Sequence, residues 1–211
     1  IQCIGLGMDV KSYTDDGHHR FNTKGELVCI NPFPSLPIYF WNDKNGEKYK
    51  SAYFSRYPNI WSHGDYIRID NDGNIKIFGR SDATLNPGGV RIGTSEIYSI
   101  IDKMTEIKDS VVIGCNISKE EKIILFVVLN NINTLDGKLI ASIKNNIKNN
   151  CSPRHVPHII IEAPEVPYTV NGKKVEMAVK NIINNEKVTN YDSLANPDSL
   201  KYFKNIDITN A

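Results

Sequence analysis

The segment from Gly79 to Ile97 carries the residue types best suited to binding a phosphate-bearing ligand. It reads GRSDATLNPGGVRIGTSEI and places Arg80 and Arg91 on either side of the pair Gly88-Gly89. Arginine presents a planar fork of N–H donors that matches phosphate and ribose oxygens. Adjacent glycines let a backbone approach a ligand closely. This segment is therefore the first candidate for a binding loop.

Two further blocks of sequence contain groups that could act on such a ligand. The first, WSHGD, ends at Asp65, whose ionised carboxylate can accept both hydroxyls of a ribose. The second, PYTVNGKK, contains Lys173, whose charge on an ordered loop suits stabilisation of negative charge as a carboxylate attacks a phosphate. The alternatives are a turn aspartate that caps its own backbone and a solvated lysine at an exposed helix start.

The Gly79–Ile97 segment also has simpler interpretations. Arg80 close to Asp82 is typical of a surface ion pair of little energetic weight, and the Gly88-Gly89 pair is typical of a turn. Asp82 stands where a β-rich pattern ends and a new pattern begins, and hinges are loop residues that absorb changes in backbone angle. No Ser-His-Asp order, paired-carboxylate spacing or metal-ligand cluster is found, and we assign His63 no acid–base role.

Composition limits the classes of protein to which this chain can belong. Its 211 residues are 40% hydrophobic and 23% charged, with a net charge of +1, which is ordinary for a globular protein. No dense Lys/Arg block suggests a nucleic-acid partner, and no apolar run approaches the roughly 20 residues that span a bilayer. We expect free thiols and no zinc site from the widely spaced cysteines, Cys3, Cys29, Cys115 and Cys151. The first residues do not resemble a signal peptide, and we expect a cytoplasmic protein that is entered partway along a longer chain.

A predicted β-hairpin brings two of the candidate residues together. Tyr66–Asp70 and Ile75–Phe78 each alternate apolar and polar residues, and the turn between them is rich in Asn, Asp and Gly. Antiparallel pairing of these strands would place Asp65 and Arg80 at the same end of the hairpin.

The other elements predict an α+β chain. Before the hairpin we expect a weak strand near Ile4–Val10, a strand over Gly25–Ile30 and a helix over Glu47–Tyr57. After it we expect a helix from Thr94 or Ser95 to Met104, strands over 108–115, 122–130 and 158–162, a helix capped by Asp136 and a helix that begins at Lys173. The apolar strand over 122–130 is expected to be covered on both faces.

Taken together, the three blocks resemble the C-terminal motifs of the adenylate-forming acyl-CoA synthetases. The resemblance narrows to the acetoacetyl-CoA synthetase family and extends over nearly the whole chain, through Phe33–Asp43, Trp61–Tyr66, Gly93–Tyr98, Val166–Glu176 and Asn196–Leu200. The superfamily usually has a basic residue three positions after its catalytic lysine. Glu176 occupies that position here, which is typical of the acetoacetyl branch.

The resemblance implies a ligase that joins acetoacetate to CoA through an acyl-adenylate, in lipid and ketone-body metabolism. Acetoacetate, ATP and CoA would be its substrates, with Mg²⁺ on the phosphates, and acetoacetyl-CoA, AMP and pyrophosphate its products. The implied site residues are Asp65 and Arg80 on the ribose of ATP or AMP, Asp82 as the hinge, Arg91 on phosphate, Gly89 against the pantetheine of CoA, and Lys173 as the adenylation lysine. No metal ligand is implied in this chain.

The resemblance also implies a division into domains. Residues 1–81 would be the last, β-rich part of the large N-terminal adenylation domain, 82–185 a small, mobile α+β C-terminal domain, and 186–211 a tail. The phosphate loop and adenine motif of the family lie outside this sequence, so we expect a C-terminal fragment, inactive alone, whose partner is the missing part of the N-terminal domain. Two alternatives remain open: a ligase for another short acid such as acetate, and a non-catalytic module that binds nucleotide or docks on a partner.

Overall fold

The change of pattern at Asp82 is also where the chain divides in the computed structural model, into a first unit, Ile1–Asp82, and a second unit, Ala83–Ala211. The structure describes residues 3–117, 120–130, 133–188, 191–206 and 208. Within these ranges, no helix combines the length and the apolar character needed to cross a membrane. Strands and helices both build the fold, which confirms the α+β class.

A sheet of four antiparallel strands forms the first unit. Its order is β1 (Val10–Tyr13), β2 (Gly25–Cys29), β3 (Trp61–Ile69) and β4 (Ile75–Arg80). Strands β3 and β4 are the predicted hairpin, and their register sets Asp65 opposite Arg80. The strand expected near Ile4–Val10 begins only at Val10. The prediction fails because the residues before it form a turn, in which the Met8 N–H donates to the Gly5 carbonyl at 3.1 Å.

An aromatic core joins the single described helix of the first unit to its sheet. Helix α1 (Glu47–Tyr53) lays the Tyr53 ring on Trp61 with their centroids 3.6 Å apart. The buried Phe33 meets the same indole edge-on at 5.5 Å. The helix ends at Tyr53, short of the predicted Tyr57, and Tyr57 itself precedes Pro58, which disfavours helical backbone angles at that residue.

A three-stranded sheet with helices on both faces forms the second unit. Its elements are α2 (Thr94–Ile101), β5 (Ile107–Ile117), β6 (Glu120–Leu129), α3 (Gly137–Asn150), β7 (Ile159–Glu162), α4 (Glu176–Ile183) and α5 (Leu200–Lys204). Strand β6 lies in the centre, antiparallel to β5 and parallel to β7. Ile123 and Leu125 face a cluster with α2 and α3, whereas Ile124 and Phe126 face one with α4 and α5. The prediction that this strand is covered on both faces is confirmed.

Helix starts in the second unit follow their capping groups. Asp136 caps α3 as predicted, and its carboxylate accepts from the Leu139 N–H at 2.8 Å. Helix α2 is capped one residue earlier than expected, at Gly93, whose N–H donates to the Glu96 carboxylate at 2.9 Å. Thr94 does not cap this helix, because its hydroxyl points to another carboxylate.

Described residues after position 186 contribute side chains to the core of the second unit. Leu194, Leu200 and Phe203 are buried, and the Phe203 ring meets Phe126 edge-on with centroids 5.0 Å apart. The apolar pair at positions 200 and 203 lies on one face of α5, because residues three apart on a helix are neighbours. This pair packs α5 against the sheet of the second unit.

Phe203→Ala should lower the free energy of unfolding of the second unit by about 3–5 kcal/mol, because it empties a fully buried ring position. Thermal unfolding followed by circular dichroism at a helical wavelength checks this, since four of the five described α-helices lie in that unit. Val170→Ala is the control, because the Val170 side chain is 69% exposed. Equal melting temperatures for the two variants would contradict the packing of α5.

Candidate functional site

The open end of the β3–β4 hairpin holds three of the predicted site residues. Arg80 donates to the Asp82 carboxylate through Nε at 3.2 Å and Nη2 at 3.1 Å, and Nη1 donates to the His63 carbonyl at 3.2 Å. Asp82 raises the pKa of the Arg80 guanidinium further. Both side chains are half-exposed, so this ion pair has little energetic weight. The two residues therefore form the surface ion pair that was the simpler interpretation.

Asp65 is oriented by the histidine beside it. Trp61 Nε1 donates to His63 Nδ1 at 3.4 Å. The other ring nitrogen, Nε2, lies 3.4 Å from Asp65 Oδ2. The Asp65 side chain keeps one-fifth of its surface exposed. This orienting contact of His63 was not predicted.

Gly64 permits the close approach of the Arg80 guanidinium to the strand. Its φ is +84°, and a Cβ built there would lie 2.7 Å from Arg80 Nη2. Any other residue would meet both strained backbone and the guanidinium. The positive φ therefore favours glycine at this position of the WSHGD block, and the Arg80 guanidinium occupies the space beside it.

A buried carboxylate that sequence reasoning missed supports this end of the hairpin. Glu26 on β2 is 1% exposed and accepts from the Gly64 N–H at 2.9 Å and the Ser81 hydroxyl at 3.3 Å. Arg56 Nη1 donates to it at 2.6 Å. Burial raises the pKa of Glu26 above its ordinary value, and these donors oppose that rise. A charged residue within the apolar strand GELVC was the signal that could have found it.

Gly89 and Arg91 share one loop of the second unit. The loop is closed by Leu85 and Ile92, whose backbones exchange hydrogen bonds of 2.9 and 2.8 Å. Gly89 has φ +81°, and a Cβ built there would meet nothing within 4 Å. Packing therefore leaves its backbone open to a ligand. The Arg91 side chain is exposed.

Lys173 lies in a short β-hairpin and does not begin a helix, which corrects the prediction. The Thr169 N–H donates to the Lys173 carbonyl at 2.9 Å, and the Lys173 N–H donates to Thr169 Oγ1 at 3.1 Å. The first of these bonds uses the Lys173 carbonyl, which would accept an intrahelical bond in a helix beginning at Lys173, and α4 begins only at Glu176. The Lys173 side chain is exposed.

The segment after residue 186 forms the outer flank of this hairpin. Thr169 pairs with Leu194, the Val170 N–H donates to the Ser193 carbonyl at 2.9 Å, and the Ala195 N–H donates to the Tyr168 carbonyl at 2.8 Å. The arm that precedes Lys173 is thus held between the arm that contains it and residues 193–195.

The structure therefore groups Asp65, Arg80 and Asp82 in the first unit. In the second unit it places Gly89 and Arg91 on one loop and Lys173 on a separate hairpin. Among the residues that the structure describes, no cluster of three or more His, Cys, Asp or Glu side chains could hold a metal ion. The described cysteines are free thiols, as expected.

Several curated relatives of this chain are acetoacetyl-CoA synthetases. The chain is 45% identical over 208 residues to the acetoacetyl-CoA synthetase of Rattus norvegicus, covering 98% of this chain and 31% of that protein. It is 45% identical over 207 residues to the acetoacetyl-coenzyme A synthetase of Rhizobium meliloti (strain 1021), covering 98% and 32%. The solved acetoacetyl-CoA synthetase from Streptomyces lividans matches with a TM-score of 0.90 and 41% identity, over 97% of this chain and 31% of that one. No protein-family model matches the chain.

These matches confirm the resemblance seen in the motifs: the chain is homologous to the acetoacetyl-CoA synthetases along nearly its whole length. It spans about a third of the length of the curated relatives it matches.

Glu26→Gln should destabilise the first unit by roughly 1–3 kcal/mol, because three donors meet its two carboxyl oxygens and an amide keeps only one acceptor oxygen. The folded pKa of Glu26 is raised, so its contribution is greatest below the ordinary value of 4.5 and is lost as pH rises through the raised value. The stability gap between the natural chain and the variant should therefore shrink as pH rises.

Urea unfolding followed by tryptophan fluorescence between about pH 4 and pH 8 measures this gap. Trp41 and Trp61 both belong to the first unit, so the signal reports on that unit. The exposed Glu47, changed to Gln, is the control and should show no such pH dependence. A gap that widens with pH would contradict the burial penalty on Glu26.

Proposed function

We propose that this chain is the part of an AMP-forming acid–CoA ligase that holds the ribose of ATP and supplies the lysine of the adenylation step. The acid is acetoacetate, and the overall reaction converts acetoacetate, ATP and CoA to acetoacetyl-CoA, AMP and pyrophosphate. One observation carries the proposal: the register that sets Asp65 opposite Arg80 occurs in a chain 45% identical to acetoacetyl-CoA synthetases.

The hairpin end would bind the ribose of ATP or AMP. Asp65 offers an ionised carboxylate to the two ribose hydroxyls, with His63 holding its orientation. Arg80 would exchange its contact with Asp82 for contacts with the ligand. That exchange is inexpensive, because an exposed ion pair has little energetic weight.

Asp82 would be the hinge between the two partial reactions. The division of the chain falls directly after it, and its side chain pairs with the ribose-binding arginine two residues earlier. Release of Arg80 to the nucleotide would thus free Asp82 at the same time. Nucleotide binding and hinge freedom would be linked through this one ion pair.

The second unit would present a different group to each partial reaction. In adenylation, Lys173 would stabilise the charge that develops as the acetoacetate carboxylate attacks the α-phosphate, with Arg91 on phosphate. In thioester formation, the open backbone at Gly89 would lie along the pantetheine of CoA. Exposure of the Lys173 ammonium and of the Gly89 backbone suits both roles.

The remaining parts of the reaction would come from outside the described residues. Mg²⁺ would arrive on the triphosphate of ATP; the described side chains do not form a metal site for it, and we assign it no step here. The other parts of the adenylation domain would be the partner of this chain, in a cytoplasmic enzyme. Assay of the full-length ligase with a panel of short acids distinguishes acetoacetate from acetate, and an absence of ligation would favour a nucleotide-binding module.

Lys173→Ala in the full-length ligase should slow adenylation by on the order of 10²–10³-fold, because it removes one preorganised charge from the transition state. Conversion of supplied acetoacetyl-adenylate and CoA to thioester should continue at nearly the natural rate. Pyrophosphate exchange and thioester formation measure the two steps separately.

The matched control for Lys173 is Lys201→Ala, because the Lys201 side chain is exposed. Lys174, the neighbour in sequence, is unsuitable because its side chain is only 21% exposed and its ammonium pairs with Asp109 at 2.9 Å, whereas the pair between Lys201 and Asp198 is exposed and has little energetic weight. Equal losses in both steps after Lys173→Ala, or none in adenylation, would refute the assignment of the catalytic lysine.

Asp82→Pro in the full-length ligase should largely preserve adenylation and strongly slow thioester formation, because proline fixes φ at the proposed hinge. Asp82→Ala is the control, since it also removes the Arg80 ion pair but leaves the backbone free. The two partial reactions measured for both variants separate stiffness from lost charge. If proline and alanine have the same effect, Asp82 is not a hinge.

A further inference from the structure

The carboxylate of Asp109 bonds residues on both arms of the hairpin that contains Lys173. Tyr168 and Lys174 face each other across the hairpin as a bridged pair. The Tyr168 hydroxyl donates to Asp109 Oδ2 at 2.9 Å, and Lys174 Nζ lies 2.9 Å from Asp109 Oδ1. The two arms therefore cannot separate or slide without losing a bond to Asp109.

Asp109 is itself fixed in direction. It lies on β5, where the register against β6 shifts between Ile107 and Asp109. Such bulges re-aim a side chain relative to the regular pleat. The Ser110 N–H also donates to Asp109 Oδ1 at 2.8 Å, and the carboxylate side chain is only 23% exposed. The anchor of the hairpin is thus part of the central sheet.

A second layer of contacts holds the exit from the hairpin. The Lys174 ammonium lies 4.4 Å from the centroid of the Tyr98 ring, where it gains a cation–π contact. The Val112 N–H donates to the Tyr98 hydroxyl at 3.1 Å, and that hydroxyl lies 3.2 Å from Glu176 Oε1. Burial raises the pKa of Tyr98 well above its ordinary value, so the phenol keeps its proton and donates to Glu176.

We propose that Asp109 is a positioning residue for adenylation: through Tyr168 and Lys174 it fixes the hairpin from which Lys173 reaches the reacting phosphate. The inference rests on the proposed function of Lys173. Asp109 also forms an ion pair with Lys174. Of the two adjacent lysines, Lys173 is therefore the one whose charge faces solvent. Its effect is confined to the step that uses Lys173.

The test compares partial reactions in the full-length ligase. Asp109→Asn removes the charge that holds Lys174 but keeps a group that can accept from Tyr168. We expect adenylation to fall about 10- to 100-fold, because small displacements of a catalytic group carry costs of this size. Thioester formation from supplied acetoacetyl-adenylate and CoA should stay unchanged. Asp198→Asn is the matched control, because that carboxylate is 86% exposed.

Tyr168→Phe is a second variant, which removes only the hydrogen bond from Tyr168 to Asp109. It should also slow adenylation selectively, by less than Asp109→Asn, and it keeps the inference testable if Asp109→Asn does not fold. Asp109→Glu should restore part of the adenylation rate, because it restores the charge.

The outcomes separate this inference from the proposed function. Full adenylation activity in Asp109→Asn, or equal losses in both partial reactions, would overturn the positioning role while a selective loss in Lys173→Ala upheld the function. If Lys173→Ala left adenylation intact, the proposed function itself would fail. A selective loss of adenylation in Lys173→Ala, Asp109→Asn and Tyr168→Phe supports both the positioning role and the proposed function.

Discussion

The first unit depends on one constraint: a carboxylate that is almost fully buried must be supplied with donors. Glu26 receives them from Gly64, Ser81 and Arg56. An unpaired buried charge would be strongly destabilising, so the fold must keep these donors in place. Gly64 and Ser81 come from the two sides of one hairpin end. Satisfying Glu26 therefore also sets the separation of the strand ends that carry the proposed ribose contacts.

The second unit uses a carboxylate in a similar way. Asp109 lies in a sheet strand and bonds residues on both arms of a neighbouring hairpin. In each unit one residue proposed to meet a ligand, Arg80 or Lys173, stays exposed, while the carboxylate that orients its surroundings is wholly or partly withdrawn from water. The group proposed to meet the ligand and the group that fixes its surroundings are thus different residues.

The sequence predicted those features that depend on nearby residues. Alternation over 66–78 predicted the hairpin that brings Asp65 and Arg80 to the same end, and Asp136 with its apolar periodicity predicted a capped helix. Lys173 was wrongly placed at a helix start because the backbone bonds that prevent a helix there depend on a turn that periodicity does not report. Glu26 and Asp109 act on residues 38 and 59 positions away, and no local pattern carries that information. Roles in catalysis came from the family motifs, and the structure supplied the supporting residues.

The pairing of residues 193–195 with the arm before Lys173 has a consequence for synthesis of the protein. A ribosome makes that arm and the lysine well before it makes the flanking segment. At synthesis rates of about 5–20 residues per second, residues 193–195 are added on the order of a second or more after Lys173. During that interval the lysine lies on a loop with one side unpaired. A nascent chain that ends within this interval therefore contains every predicted site residue. It still lacks residues 193–195, which pair with the arm before Lys173.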